Sequence, residues 1–350
     1  MKNLSNKFIF RADGNAKIGV GHIMRCITIA GALRIDAENI CFVCSDEESA
    51  HVAEGYGYET DITKIEYTNM ESELPKWYES KTENAVILVD SYYVTKRYLE
   101  FLEKFGSVVL LDDMHNVECN VSVVINYNVL ATKDDYVGLC SEHTKLYIGA
   151  AYIPVRDQFR NVEYNIKDEI SDILITTGGG DIQNIAGLLF SELSEITDGV
   201  TYHLVSGVFN PYYDQLKEVE QKRKDLIVYH DVKDMAFIMK KCDLAITAGG
   251  STIYEISSIG VPLICFSYSK NQELSAKYIG DSISDYAGPY DKEPEKTVNR
   301  ICTLVSSIYQ DKQYRKICSD RERAFVDGCG AERIAYILKQ LYGDYYLKKL

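Results

Sequence analysis

A chain of 350 residues exceeds what one hydrophobic core ordinarily organises, so two domains are expected. With 46% apolar and 26% charged residues the composition is that of a globular protein, and 38 Lys and Arg against 52 Asp and Glu leave a net charge of −14. That acidic balance argues against a nucleic-acid backbone or an anionic bilayer as the main partner; no run approaches the roughly eighteen apolar residues of a membrane span, and the N-terminus has no signal-peptide core, so a cytoplasmic protein is expected.

Short apolar runs, each followed by an amphipathic stretch, come in two sets. The first is Phe8 to Phe10, Ile40 to Val43, Ala85 to Val89, Val108 to Leu111 and Val121 to Ile125. The second is Ile173 to Ile175, Tyr202 to Val205, Leu226 to Val228, Leu244 to Ile246 and Leu263 to Phe266. Runs this rich in Val and Ile read as strands of parallel sheets covered on both faces, which predicts α/β architecture twice over. The polar stretch Arg156 to Ser171 reads as the interdomain connection, giving domains at 1–160 and 161–350. Ala331 to Tyr342, with Ile334, Ile337, Leu338 and Leu341 on one face, predicts an amphipathic helix whose pattern does not say which domain it joins.

Ten scattered cysteines fit reduced, buried thiols. The one CxxC, Cys41 to Cys44, falls in a predicted strand whose alternation turns the two thiols to opposite faces, which disfavours a metal site. The 27 tyrosines read mostly as half-buried packing residues.

Three glycine turns follow predicted strands. In the first, Gly19 and Gly21 precede an apolar-periodic helix through Leu33; they allow a tight turn and close approach to free N–H groups at a helix start. A dinucleotide reading lacks its third glycine, where Met24 stands, although Asp46 could serve as the ribose-binding acid. His22 lies in the first helical turn, where the dipole disfavours imidazolium and leaves a ring able to accept a proton. It is either a general base or a histidine that satisfies local backbone. Arg25, one turn on, either orients a ligand or is a solvated charge.

The second turn, Gly249-Gly250-Ser251-Thr252, opens a helix in which Thr252 and Glu255 have capping-box spacing. The same residues suit a diphosphate cradle, with Glu255 receiving ribose hydroxyls. The third, Gly178-Gly179-Gly180-Asp181, follows the first strand of the second set.

Taken in order, Arg11, Asp13, Ile18-Gly-Val-Gly-His22-Ile-Met-Arg25, Val89-Asp90-Ser-Tyr92, Asp112-Asp113, Asn126-Tyr-Asn128, Arg156 with Phe159, and Gly178-Gly-Gly-Asp181 with Asn184 form the first part of a recognisable series. It continues with Ala248-Gly-Gly-Ser-Thr-Ile-Tyr-Glu255, Lys270-Asn271-Gln272 and Val326-Asp-Gly-Cys-Gly-Ala-Glu-Arg333. The series spans most of the chain and resembles the UDP-2,4-diacetamido-2,4,6-trideoxy-β-L-altropyranose hydrolases of pseudaminic acid biosynthesis. The resemblance implies a GT-B architecture, two Rossmann-like doubly wound domains with an interdomain cleft, similar to the glycosyltransferase that adds N-acetylglucosamine in peptidoglycan synthesis.

It further implies UDP bound by Gly178, Gly179, Gly249, Gly250, Ser251, Thr252 and Glu255, and the sugar near Arg11, Asp13, Gly19, Gly21, Arg25, Tyr92, Asn271 and Gln272. His22 would activate water to attack the anomeric carbon with inversion, releasing UDP without metal or cofactor. The partner implied is a UDP-sugar; the oligomeric state is left open. The chain departs from the family after Asn271-Gln272, where no Gly-Ala-Ala turn follows and the stretch to Gly288 is expected to be a loop close to the sugar. The alternatives are a GT-B glycosyltransferase using an acceptor, and a nucleotide-sugar or NAD binding protein without catalysis.

Overall fold

The computed structural model describes residues 8–15, 17–79, 82–178, 180–207 and 210–347. The chain divides into two compact units, Met1–Pro154 with Cys329–Leu350, and Val155–Gly328. The first contains β1 (Phe8–Ala12), α1 (Gly21–Ala32), β2 (Ile40–Cys44), α2 (Glu47–Glu54), β3 (Glu59–Ile62), α3 (Leu74–Glu79), β4 (Ala85–Asp90), α4 (Lys96–Leu102), β5 (Gly106–Leu111), β6 (Val123–Asn126) and β7 (Lys145–Ile148). Its strands are parallel, in the order β3-β2-β1-β4-β5-β6-β7.

The second unit contains β8 (Asp172–Thr176), α5 (Ile185–Ser194), β9 (Thr201–Ser206), α6 (Tyr213–Glu220), β10 (Leu226–His230), α7 (Met235–Met239) and β11 (Leu244–Ala248). It continues with α8 (Thr252–Ile259), β12 (Leu263–Ser267), α9 (Lys270–Ser282), β13 (Asp285–Pro289), α10 (Pro294–Tyr309) and α11 (Lys312–Phe325). This sheet is also parallel, in the order β10-β9-β8-β11-β12-β13. Helix α12 (Gly330–Leu347) returns to the first unit.

The central strands are apolar because both faces are covered. Ala85–Asp90 is buried at every residue, and alternate side chains enter different cores. Phe8, Phe10, Val86 and Leu88 pack beneath α1 and α12, whereas Ile9, Ile87 and Val89 pack with Trp77, Tyr98 and Leu102. Cys44 joins the first of these cores and Cys41 the second, so the CxxC thiols do lie on opposite faces. The apolar runs miss β3, β7 and β13, all edge strands whose Glu59–Ile62, Lys145–Ile148 and Asp285–Pro289 sequences carry polar residues because an edge is only partly covered.

The structure moves the expected domain limits. Val155 opens the second unit, and the predicted connection is packed rather than loose: Phe159, Tyr164 and Ile170 are buried, and the Tyr164 hydroxyl donates to the Cys242 carbonyl at 3.0 Å. At the other end α12 belongs to the first unit, since Ile334, Ala335, Ile337 and Leu338 enter the core lined by α1 and β1. The expected loop after Gln272 is also replaced, mostly by α9, whose Ala276 and Ile279 are buried. None of the described helices is long and apolar enough to cross a membrane.

Each sheet reverses its strand order once, between β1 and β4 and between β8 and β11. Connections leave such a point in opposite directions and open a crevice beyond the carboxyl ends of the strands. The glycine turns fall at these two points.

Candidate active site

The β1–α1 turn is shaped for close packing. Gly19 has φ +77° and donates to the Asn15 carbonyl at 2.8 Å, while the Asn15 side chain accepts from the amides of Lys17 and Ile18. A Cβ on Gly14 would stand 2.3 Å from Ile23, whereas one on Gly21 would meet nothing within 4 Å. The turn is therefore tight toward the core and open above α1, where His22 sits.

Asp90, the last residue of β4, lies beside β1 and reaches the histidine. His22 Nδ1 is 2.7 Å from Asp90 Oδ1. Arg25 Nη2 also approaches Nδ1, at 3.0 Å, but the Asp90 carboxylate lies closer and can only accept. The Nδ1 proton is therefore assigned to the bond with Asp90, and Nε2 is left as the acceptor.

Arg25 is held at several points. It donates through Nε and Nη2 to the two oxygens of Asp90, and through Nη1 to Asp113 Oδ2 at 2.6 Å and to the Tyr127 hydroxyl. Burial by itself would raise the Asp90 carboxyl; the Arg25 guanidinium and then His22 reverse this and hold it well below the usual carboxylate range. The Cys26 thiol also points at Asp90 Oδ2, at 3.6 Å. Tyr92, on the loop after β4, sets its ring edge-on to His22 at 4.4 Å between centroids. Burial, followed by the Asp113 charge, pushes its hydroxyl's pKa up.

A cavity of about 210 Å3 is lined by Asp13, Ile18, His22, Tyr67, Asp90, Ser91, Tyr92 and Tyr93. Asp13 thus faces the cavity, its Oδ1 accepting from the Ser45 amide at 2.6 Å. Arg11 does not. It is fully buried and paired with Asp13 and Glu73, each at 2.6 Å, because its position in β1 turns it into the core. Arg25 commits Nε, both Nη1 protons and one Nη2 proton to Asp90, Asp113 and Tyr127, so the sugar contact expected of Arg11 is replaced by an internal pairing and Arg25 is tied largely to protein groups. Asp46 is occupied too: it caps α2 through the Ser49 amide at 2.7 Å and accepts from Asn15, which removes the support it lent to a ribose site.

At the second crossover the two helix starts differ. Asp181 accepts from the amides of Ile185 and Ala186, both at 2.8 Å, so α5 already has a carboxylate on its first donors. Gly178, with φ +91°, makes the turn before it; Gly179 lies outside the described residues. Helix α8 begins at Thr252 after Ser251 and has no side-chain cap. The expected capping box is absent because Thr252 is already helical and Glu255, one position too far along, instead accepts from Arg156 Nε at 2.7 Å.

The two glycines of that turn have separate jobs. A Cβ on Gly249 would press on Ala276 and Gln272 at 3.0 and 3.1 Å, whereas one on Gly250 would meet nothing within 4 Å. Gly249 thus brings Gln272 of α9 to the α8 turn, and Gly250 leaves open space there. Asn271 lies in the first turn of α9, its side chain outside the described residues. Sequence reasoning did not assign roles to Asp90, Asp113 and Tyr127; all three stood in the matching motifs, but only strand order brings them to Arg25. Among the described residues no group of three or more His, Cys, Asp or Glu side chains could hold a metal ion.

With this geometry in view, the fold is GT-B: two parallel-sheet Rossmann-like units, seven and six strands. The crystal structure of MurG from Acinetobacter baumannii is similar, with a TM-score of 0.65, 12% identity, and 96% of this chain and 99% of that one covered. Residues 173–325 match the Glycosyltransferase family 28 C-terminal domain. The spore coat polysaccharide biosynthesis protein SpsG of Bacillus subtilis is 25% identical over 95% of this chain and 97% of its own length. The UDP-2,4-diacetamido-2,4,6-trideoxy-beta-L-altropyranose hydrolase of Campylobacter jejuni is 24% identical over 78% of this chain and 96% of its own.

Proposed function

We propose that this protein is an enzyme of nucleotide-sugar metabolism and that it hydrolyses a UDP-linked 2,4-diacetamido-2,4,6-trideoxyhexose to the free sugar and UDP. The observation that carries the reading is the His22–Asp90 pair at the cavity, with Nε2 free to take a proton. The similarity to a named hydrolase over 96% of that protein's length supports the substrate.

In this reaction a water oxygen bonds to the anomeric carbon as the carbon–oxygen bond to the diphosphate breaks, and the water proton passes to His22 Nε2. Attack from the face opposite UDP inverts the anomeric centre. Asp90 keeps the ring in the required tautomer and faces the imidazolium that forms; a positioned base of this kind is worth roughly 10² to 10⁴ in rate. UDP is a good leaving group, so the remaining task is to meet its charge. The uncapped start of α8, with Gly250, Ser251 and Thr252, is the favoured place for the diphosphate, and Glu255 for ribose hydroxyls.

Transfer to an acceptor hydroxyl is the second reading, favoured by the match of residues 173–325 to a glycosyltransferase domain. Release of UDP and reducing sugar without acceptor decides between them: turnover at the same rate with and without candidate acceptors supports hydrolysis, and none without acceptor overturns it. In ¹⁸O water the label goes to the sugar; label in UDP would mean attack at phosphorus.

A further inference from the structure

Two loops of the first unit each begin at a partner of Arg25 and run to a cysteine. One leaves β5, sets Asp113 on Arg25 Nη1 and reaches Cys119; the other leaves β6 with Tyr127, which also meets Nη1, and reaches Cys140. There the loops meet. Cys119 and Cys140 are partners in a short parallel bridge, the Cys119 amide donates to the Leu139 carbonyl at 2.9 Å, and the two Sγ atoms stand 3.1 Å apart. We propose that Cys119 and Cys140 form a reversible disulfide, made by exchange with a low-molecular-weight disulfide, that ties the far ends of these two loops together. The inference does not depend on the hydrolase reading.

The backbone is already spaced for the bond. Paired residues on neighbouring strands lie about 4.8 Å apart, within the roughly 4.4–6.8 Å that a disulfide spans between Cα atoms. Bonded sulfurs stand about 2.05 Å apart, so the thiols have only about 1 Å to close, which is within reach of side-chain rotation. Their surroundings are fixed as well. Cys119 is buried in one core with Val121, Val124 and Tyr136, and Cys140 packs against it. The Tyr136 hydroxyl donates to Asp112 at 2.9 Å and accepts from Asn126 at 2.8 Å, which holds the segment before Cys140 to the ends of β5 and β6.

The two thiols differ in access, and this sets the order of steps. Cys119 is buried, whereas Cys140 is partly exposed. With the more buried Cys119 as donor, the S–H···S bond holds the Cys140 thiol down and, together with burial, pushes Cys119 up; burial and the Asp112 charge work against the Cys140 thiolate. Cys140 therefore attacks first. Its sulfur bonds to one sulfur of the small disulfide and expels the other as a thiolate, which takes up a proton. Cys119 then gives up its proton, and its sulfur displaces the second small thiolate from Cys140 Sγ. Two protein thiols are oxidised and one small disulfide is reduced to two thiols, with no other oxidant.

Oxidised glutathione and the folded full chain provide the test. Non-reducing peptide mapping should find a Cys119–Cys140 crosslink that dithiothreitol reverses, with no lasting glutathione on Cys140 because Cys119 expels it. In Cys119→Ser the adduct on Cys140 should instead persist, and in Cys140→Ser Cys119 should stay reduced. Because the crosslink joins residues 21 apart in sequence, it should also raise Tm by several degrees, an effect absent from both variants. Cys302 and Cys329 are the other partly exposed cysteines. Pairing of Cys119 or Cys140 with either of them, a lasting adduct on wild-type Cys140, two unreacted thiols, or a crosslink that brings no rise in Tm would overturn the inference. If Cys119→Ser fails to fold, the wild-type map and Cys140→Ser still decide it.

Discussion

At the β1/β4 crossover of the first unit, side chains from α1, the end of β4 and the loops after β4, β5 and β6 converge on His22 and Arg25. At the β8/β11 crossover of the second, the feature beside the strands is backbone: one helix start covered by Asp181 and another without a cap. The two sheets share a strand order, outward from β1 in one and from β8 in the other. Strand order thus fixes where a site can form, and the residues at the strand ends decide whether it does proton chemistry or receives an anion. On the proposed function, a chain of net charge −14 would meet an anionic UDP-sugar through local donors rather than through its overall field.

The largest effect expected within this comparison is on stability. Arg11 and Arg25 both pair with two carboxylates, but Arg11 has no exposed surface and Glu73 beside it has none either. Arg11→Leu leaves that carboxylate buried and unpaired, and should destabilise the first unit by about 3–5 kcal/mol in denaturant titration. UDP affinity of the folded fraction should stay at its wild-type value. A loss below about 1 kcal/mol would mean that the pair is not the anchor described here.

His22→Ala tests the division of labour directly. Turnover should fall at least about a hundredfold, a rise of about 2.7 kcal/mol in the barrier, while UDP binding measured by calorimetry is retained. Equal losses in turnover and in UDP affinity would erase the distinction between the two crossovers.

Much of this was legible in the sequence, for physical reasons that also mark its limits. Strands buried on both faces are written as unbroken apolar runs, so β1, β2, β4, β5, β6, β8, β9, β11 and β12 could be read directly, and the edge strand β10 from its Leu226 to Val228 run; β3, β7 and β13 could not, since an edge strand needs no such run. His22 and the glycine turns were visible because helix starts and tight turns have local signatures. The role of Arg25 was not, because its partners Asp90, Asp113 and Tyr127 lie 65, 88 and 102 residues away and meet it only through strand order. Arg11 misled for the reverse reason. A charged residue in a matching motif suggests a ligand contact, and nothing local reveals that Glu73 waits 62 residues on.

Smaller effects sharpen the contrast between the two helix starts of the second unit. Asp181→Ala removes the carboxylate from two α5 amides and should cost about 1 kcal/mol of stability, as loss of a helix cap does. If those donors are committed to Asp181, as the geometry has it, UDP affinity should change little. A tenfold loss of affinity would return the Gly178 turn to the nucleotide site and assign Asp181 a part in shaping it.

Gly250→Ala is the mildest change and asks the complementary question of α8. Its added methyl meets no protein atom within 4 Å, so stability should stay within about 0.5 kcal/mol of wild type. Gly249→Ala is the control, because there the methyl must displace Ala276 or Gln272. If a diphosphate lies against the Gly250 backbone, the methyl occupies the space it needs, and UDP affinity should fall severalfold with no change in the melting temperature. Affinity unchanged in Gly250→Ala would move the diphosphate away from the one helix start at this crossover that carries no side-chain cap, and with it the proposed separation between a unit that supplies the base and a unit that receives the leaving group.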